Sequence, residues 1–148
     1  MALNLQKEPL WYAFVTKPRH EKKVQQYLDL AGIESFLPIR RTLNQWKDRK
    51  RWVEAPLFSC YIFSRIAYVN RYDVLQVPSV ARLVTFNNEP TPVSTQEIEA
   101  IRRILTAPQS VQVMDGMIPG TRVRITSGAL AGLEGVLGEH RGSKWVII

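Results

Sequence analysis

The chain has very few of the side chains from which metal sites and nucleophilic active sites are built. Its 148 residues include one cysteine, Cys60, and two histidines. A single cysteine cannot form an internal disulfide, and no clustered His, Cys or acidic residues show the spacing of a metal site. We therefore predict a protein that has no disulfide, metal or other cofactor and that is not an enzyme.

Long hydrophobic runs and a secretion signal are also missing. No apolar segment approaches the ~20 residues that a membrane-spanning helix needs. Residues 1–7 lack the long apolar core of a signal peptide. We therefore expect a cytoplasmic location and no membrane contact. We also expect a monomer.

Acidic residues are outnumbered, with 13 acidic against 20 basic residues and a formal net charge of +7. Six of the basic residues and one acidic residue lie between Arg40 and Arg51, which gives this segment a local charge of +5. We interpret it as a β-hairpin with a basic tip around Asn44 to Lys50. Such a tip is either a solvated loop or a contact for nucleic-acid phosphates, with Trp46 available to stack on a base.

The stretch from Pro56 to Ile66 is interpreted as one long strand with two apolar faces. Alternation puts Phe58, Cys60, Ile62 and Ile66 on one face and Leu57, Tyr61 and Phe63 on the other. The sequence predicts too few helices to cover both faces, so an aromatic patch is expected to need a partner. The alternative is that Tyr61 and Phe63 are ordinary core residues.

The rest of the chain alternates between strand and helix patterns. We predict strands over 10–16, 35–43 and 80–86, a helix opened by Lys17-Pro18 and stopped by Gly32, a short helix over 68–76, and a helix from the capping box Ser94-x-x-Glu97 to Thr106. Val69, Tyr72 and Leu75 would share one face of the short helix. Residues 107–117 lack periodicity and are interpreted as a linker. Short glycine-punctuated strands follow, as in a small barrel, and these last ~30 residues are too few for a complete core.

The order of these segments resembles the NusG family of transcription elongation factors. The resemblance rests on the Trp11-Tyr12 strand, the helix and basic hairpin after it, Pro56-Leu57-Phe58-x-x-Tyr61-Ile62-Phe63, Val77-Pro78-Ser79-Val80, and a KOW-like pattern of Gly120, Val123, Ile125, Gly128, Gly132 and Gly135. The family often has Pro-Gly or Pro-Asn where this chain has Ser59-Cys60. The segments 17–21 and 56–58 are more similar to specialised, operon-specific antitermination paralogues than to general NusG.

The resemblance implies an α+β fold in two modules. An NGN domain over 8–106 would hold a four-stranded antiparallel sheet with flanking helices, the two main ones on one face. The linker 107–117 would lead to an incomplete KOW-type β-barrel over 118–148.

The resemblance also implies a transcription elongation or antitermination factor that binds RNA polymerase through the NGN sheet face and suppresses pausing or termination. The clamp helices of the polymerase would contact Trp11 or Tyr12, Phe58, Tyr61 and Phe63, and its gate loop would contact Asn70, Arg71 and Tyr72. DNA or RNA of the elongation complex would contact Lys17, Arg19, His20, Lys23, Arg40, Arg41, Trp46, Lys47, Arg49, Lys50 and Arg51. The KOW module would bind the ribosome or a termination factor. The alternative is a stand-alone KOW-type RNA-binding or ribosome-associated protein.

Overall fold

The structure, a computed structural model, describes residues 7–106, 117–127 and 130–147. The chain divides into two compact units, with the boundary between Ile98 and Glu99. The elements of the first unit are β1 (Pro9–Thr16), α1 (Glu21–Leu30), β2 (Ser35–Phe36), β3 (Ile39–Gln45), β4 (Lys50–Pro56), β5 (Tyr61–Ala67), a 3-10 helix (Tyr68–Asn70), α2 (Arg71–Leu75), β6 (Val80–Leu83), β7 (Thr85–Phe86), β8 (Glu89–Pro90) and the start of α3 (Thr95–Thr106). The second unit holds the rest of α3, β9 (Arg122–Arg124), β10 (Glu134–His140) and β11 (Ser143–Ile147).

A four-stranded antiparallel sheet in the order β2-β5-β1-β6 forms the centre of the first unit. The predicted α+β fold with such a sheet is therefore confirmed. The prediction of one long strand over 56–66 is wrong, because β4 ends at Pro56 and β5 begins at Tyr61 after a turn. In that turn Cys60 has a φ of +68°, which no extended strand permits.

One face of this sheet packs on α1 and α2 to form the main core. The core consists of Tyr12, Phe14, Val24, Leu28, Leu37, Ile62, Ile66, Val74 and Val77. Each large apolar side chain in it stabilises the fold by about 1.5–3 kcal/mol through burial. Val74 is the buried residue of α2, whereas Val69 and Tyr72 are exposed.

The first helix starts later than predicted. It begins at Glu21 and not at Lys17-Pro18, because Arg19 has a φ of +64° and breaks the helical path. Its predicted stop is confirmed, since Gly32 has a φ of +72°. Only glycine adopts that conformation without strain, and it commonly ends helices.

Two local predictions are confirmed in the first unit. β3 and β4 pair as a hairpin from Ile39 opposite Pro56 to Gln45 opposite Lys50. The capping box of α3 is formed: the Glu97 N–H donates to Ser94 Oγ at 3.1 Å, and the Ser94 N–H donates to Glu97 Oε2 at 2.9 Å. These bonds satisfy N–H groups that have no partner within the helix.

The described part of the second unit contains a three-stranded antiparallel sheet in the order β11-β10-β9. Arg124 of β9 hydrogen-bonds and pairs with Glu134 of β10, which lowers the pKa of that carboxyl group. Gly135 is tightly enclosed, since a Cβ there would lie 2.8 Å from Val146 Cγ1.

The KOW-type barrel stays a prediction. The domain boundaries also stay predictions, because nearly all of the predicted linker lies outside the described residues. Helices in the described ranges are too short or too polar to cross a lipid bilayer.

Two leucines of α1 offer a matched test of the core. Leu28 is fully buried, whereas Leu30 is 86% exposed. We expect Leu28→Ala to lower the free energy of unfolding by about 2–5 kcal/mol, because it leaves a cavity. Leu30→Ala should change it by less than about 0.5 kcal/mol. Urea unfolding followed by circular dichroism measures both, and equal losses would contradict this placement of the helix.

Candidate functional site

Four aromatic side chains form a cluster on the sheet face opposite α1 and α2, and we call them the aromatic patch: Phe36, Phe58, Tyr61 and Phe63. The rings of Phe36 and Phe63 stack across the paired strands at a centroid distance of 6.2 Å, and Phe58 meets Phe63 edge-on at 6.1 Å. Tyr61 shares this face with Phe63, two residues along β5. Phe58 and Tyr61 are 41% and 39% exposed, whereas Phe63 is only 7% exposed. Phe63 therefore supports the patch, and its neighbours offer the accessible surface.

The structure corrects the expectation for Trp11 and Tyr12, since both are buried. Tyr12 belongs to the core under the helices, with its ring 6.1 Å from that of Tyr68, and burial raises the pKa of its hydroxyl group. Trp11 lies on the patch side of β1, where its carbonyl oxygen accepts a hydrogen bond from the Val93 N–H at 2.8 Å. Neither side chain adds accessible area to the patch.

Phe36 belongs to the patch although the sequence analysis did not select it. Its position becomes clear only from the register, because β2 places it directly opposite Phe63. A search for aromatic residues in every predicted strand next to β5 would have found it.

The turn that carries Phe58 is held by hydrogen bonds to distant segments. The Cys60 N–H donates to Glu21 Oε1 at 2.8 Å, and the Cys60 carbonyl oxygen accepts from the Thr16 N–H at 2.8 Å. Leu57 donates its N–H to the Pro38 carbonyl oxygen at 2.8 Å. The left-handed conformation of Cys60 costs a residue with a Cβ roughly 1–2 kcal/mol, so these bonds offset a real strain.

The predicted gate-loop residues lie together around the 3-10 helix and α2. The guanidinium carbon of Arg71 is 4.3 Å from the ring centroid of Tyr68 and 4.4 Å from that of Tyr72. Arg71 also donates to the Tyr68 carbonyl oxygen at 3.1 Å and to the Tyr72 hydroxyl at 3.3 Å. Asn70 and Tyr72 are exposed. The arrangement holds one cation in a fixed place between two aromatic rings.

The basic hairpin, residues 39–56, carries its predicted basic residues on exposed positions: Arg40, Arg41, Lys47, Arg49, Lys50 and Arg51. Trp46 at the tip is exposed, with the Arg51 guanidinium 5.9 Å from its ring centroid. Trp52 is exposed as well and has the Arg41 guanidinium 4.9 Å from its ring centroid. The sequence analysis missed Trp52, which offers a second stacking surface for a nucleic-acid base.

The basic start of α1 lies beside the basic hairpin. Lys22 Nζ is 3.8 Å from Glu54 Oε2 of β4, an ion pair that links the two segments. The other predicted contacts, Lys17, Arg19 and Lys23, are exposed. His20 is half-buried and its Nδ1 lies 2.7 Å from Ser79 Oγ, so one of its two ring nitrogens is already engaged.

In the part of the chain that the structure describes, no group of three or more His, Cys, Asp and Glu side chains is placed to hold a metal ion. The described residues of the first unit form two candidate binding surfaces, the aromatic patch and the basic hairpin.

Comparison with known proteins agrees with this architecture. A family model described as "Transcription termination factor nusG" matches residues 9–102. A solved structure of Thermotoga maritima NusG, which describes a domain interaction in that protein, is similar to this chain. It matches with a TM-score of 0.58 and 26% identity, and the match covers 89% of this chain and 80% of that chain.

Two structures of the MjSpt4:Spt5 complex match more weakly. Conformation B has a TM-score of 0.38 and 13% identity over 86% of this chain and 74% of that chain, and conformation A has 0.38 and 12% over 88% and 77%. Scores this low add nothing to the assignment, and no curated protein sequence matches the chain. The family match spans more than half of the chain. This chain therefore belongs to the NusG family of transcription factors, whose members act in transcription elongation and its regulation and are not enzymes.

Proposed function

We propose that this chain binds RNA polymerase through the aromatic patch and suppresses pausing or termination during elongation. The observation that carries the proposal is the partial exposure of Phe58 and Tyr61 on the face that α1 and α2 leave uncovered. Large aromatic side chains are the usual anchors of protein interfaces, because they bury much apolar area with little loss of conformational entropy. The polymerase clamp helices are the proposed partner of this patch.

The proposed mechanism is selective binding to one state of the polymerase. A factor that contacts the clamp helices through the patch, and the gate loop through Asn70, Arg71 and Tyr72, makes its full set of contacts only when the clamp is closed. Such a factor shifts the population toward that state by its difference in affinity for the two states. A tenfold difference corresponds to about 1.4 kcal/mol. States with an open clamp, which favour pausing, become less populated.

The basic hairpin supplies a second, weaker contact in this proposal. A short loop neutralises only a few phosphates, so its own affinity for DNA or RNA is low and falls steeply with salt. Docking of the patch places the hairpin beside the nucleic acid of the elongation complex. The high effective concentration then makes the weak contact occupied.

A stand-alone nucleic-acid-binding protein is the second candidate function, favoured by the two exposed tryptophans with arginines over their rings. Salt separates the two candidates. Phosphate-driven binding fades steeply as salt rises, whereas an apolar interface with polymerase persists at moderate salt. The ribosome or a termination factor as partner of the second unit, and membership in the operon-specific subgroup, stay predictions.

Removal of either exposed patch residue should weaken polymerase binding. We expect Phe58→Ala and Tyr61→Ala each to lower the affinity for core RNA polymerase by roughly 2 kcal/mol, because each removes a central aromatic anchor. Titration of a fluorescently labelled chain with core polymerase measures the effect.

Two exposed aromatic residues outside the patch serve as matched controls. Phe86 of β7 and Tyr27 of α1 are of the same residue types. Phe86→Ala and Tyr27→Ala should bind polymerase as the parent does. If all four folded variants bind equally well, the patch is not the docking surface.

Neutralisation of the hairpin should affect pausing but not docking. We expect the joint replacement of Lys47, Arg49, Lys50 and Arg51 by Gln to leave pauses longer than they are with the parent chain, while the affinity for core polymerase is unchanged. The reason is that the phosphate contact is lost and the aromatic patch is intact. Pause lifetimes on a transcribed template and titration with polymerase free of nucleic acid are the paired measurements.

A single exposed tryptophan refines this test. Trp46→Ala should add to the loss if its indole stacks on a base, and Trp52→Ala reports on the second stacking surface in the same way. Loss of core-polymerase affinity in the Gln variant would place the hairpin in the protein interface. Unchanged suppression of pausing would show that the hairpin is a solvated loop.

A further inference from the structure

A buried carboxylate lies at the first residue of α1, next to the turn before β5. Glu21 is only 5% exposed, and it is the one acidic side chain buried among the described residues. Burial of a carboxylate is costly unless the group accepts hydrogen bonds. Its Oε1 accepts the Cys60 N–H at 2.8 Å, a charge-assisted bond that is stronger than one between neutral groups.

This bond joins segments that are far apart in the sequence. Cys60 is also held through its carbonyl oxygen, which accepts from the Thr16 N–H at 2.8 Å. Both main-chain groups of Cys60 are therefore fixed, one by the start of α1 and one by the end of β1. Fixing both groups keeps the residue at its φ of +68°, a conformation that it would otherwise leave.

The conformation of Cys60 determines where Phe58 lies. Only Ser59 separates the two residues, and the Tyr61 N–H closes the turn on the Phe58 carbonyl oxygen at 3.4 Å. With this turn in place, Phe58 meets Phe63 edge-on and stays on the patch side of the sheet. If Cys60 relaxed to an extended conformation, the turn would open and Phe58 would lose this position.

We infer that Glu21 is a positioning residue of the aromatic patch: its buried carboxylate holds Cys60 and thereby preorganises Phe58 for docking. The inference rests on the proposed function of the patch. A preorganised surface binds more tightly because less conformational entropy is lost on association. Glu21 itself touches no partner in this account and acts through Phe58.

The test is a double-mutant cycle between Glu21 and Phe58, measured as affinity for purified core RNA polymerase. We expect Glu21→Ala to weaken binding about tenfold in the parent and less than about twofold in the Phe58→Ala background. Glu21→Gln keeps an oxygen that accepts the Cys60 N–H, so it should bind within about twofold of the parent. Hydrogen exchange at the Cys60 amide, followed by NMR, should accelerate in Glu21→Ala and not in Glu21→Gln.

A control in the same helix separates the effect of lower stability from the effect of a misplaced Phe58. Leu28→Ala destabilises the core and should still bind polymerase as the parent does, at a temperature where all variants are folded. If Glu21→Ala does not fold, Glu21→Asp takes its place, because the shorter side chain draws the carboxylate away from Cys60.

Two different failures can be told apart. Suppose first that Phe58→Ala weakens binding. The positioning role of Glu21 is then overturned, and the docking role of the patch is not, if folded Glu21→Ala binds as the parent does. The same holds if Glu21→Ala weakens binding equally in the parent and in the Phe58→Ala background. Parent-like binding of Phe58→Ala removes the docking surface itself, and the positioning role with it.

Discussion

The antiparallel pairing of β1 with β5 is the interaction on which the rest of the first unit depends. Its register places Phe14 opposite Ile62 and Ala13 opposite Phe63. Successive side chains of a strand point to opposite faces, so the first pair lies in the core under the helices and the second pair lies on the patch side. A slip of one residue would exchange the two faces. One register thus creates both the stable core and the candidate docking surface.

Much of this arrangement could be predicted because its signals are local. The aromatic and β-branched run of β1 and the Ser94-x-x-Glu97 capping box each depend on neighbouring residues alone. The turn at Cys60 could not be predicted in this way. Its conformation is held by Glu21 and Thr16, which are distant in the sequence. The alternating pattern therefore predicted one continuous strand, whereas the chain forms a turn followed by a strand.

The residues of the candidate site divide in the same way into those that local patterns predict and those that depend on distant segments. The position of Tyr61 beside Phe63 follows from strand alternation. Alternation put Phe58 on the opposite face, and only the turn at Cys60 brings it to Phe63. The inclusion of Phe36 depends on a register that the sequence does not display. Burial of Trp11 and Tyr12 likewise depends on which segments cover each face. Charge is easier to predict, since a dense run of basic residues is costly to bury and stays exposed.

Our proposal gives the selective role to the aromatic patch, which binds by apolar burial, and a weaker role to the basic hairpin, which binds by charge. Its central claim is tested most directly by hydroxyl-radical footprinting of the chain with and without core RNA polymerase, read by mass spectrometry. Side-chain oxidation of Phe58 and Tyr61 should fall severalfold in the complex, while that of Tyr27 and Phe86 stays constant. Unchanged oxidation of Phe58 and Tyr61 at saturating polymerase would contradict the account.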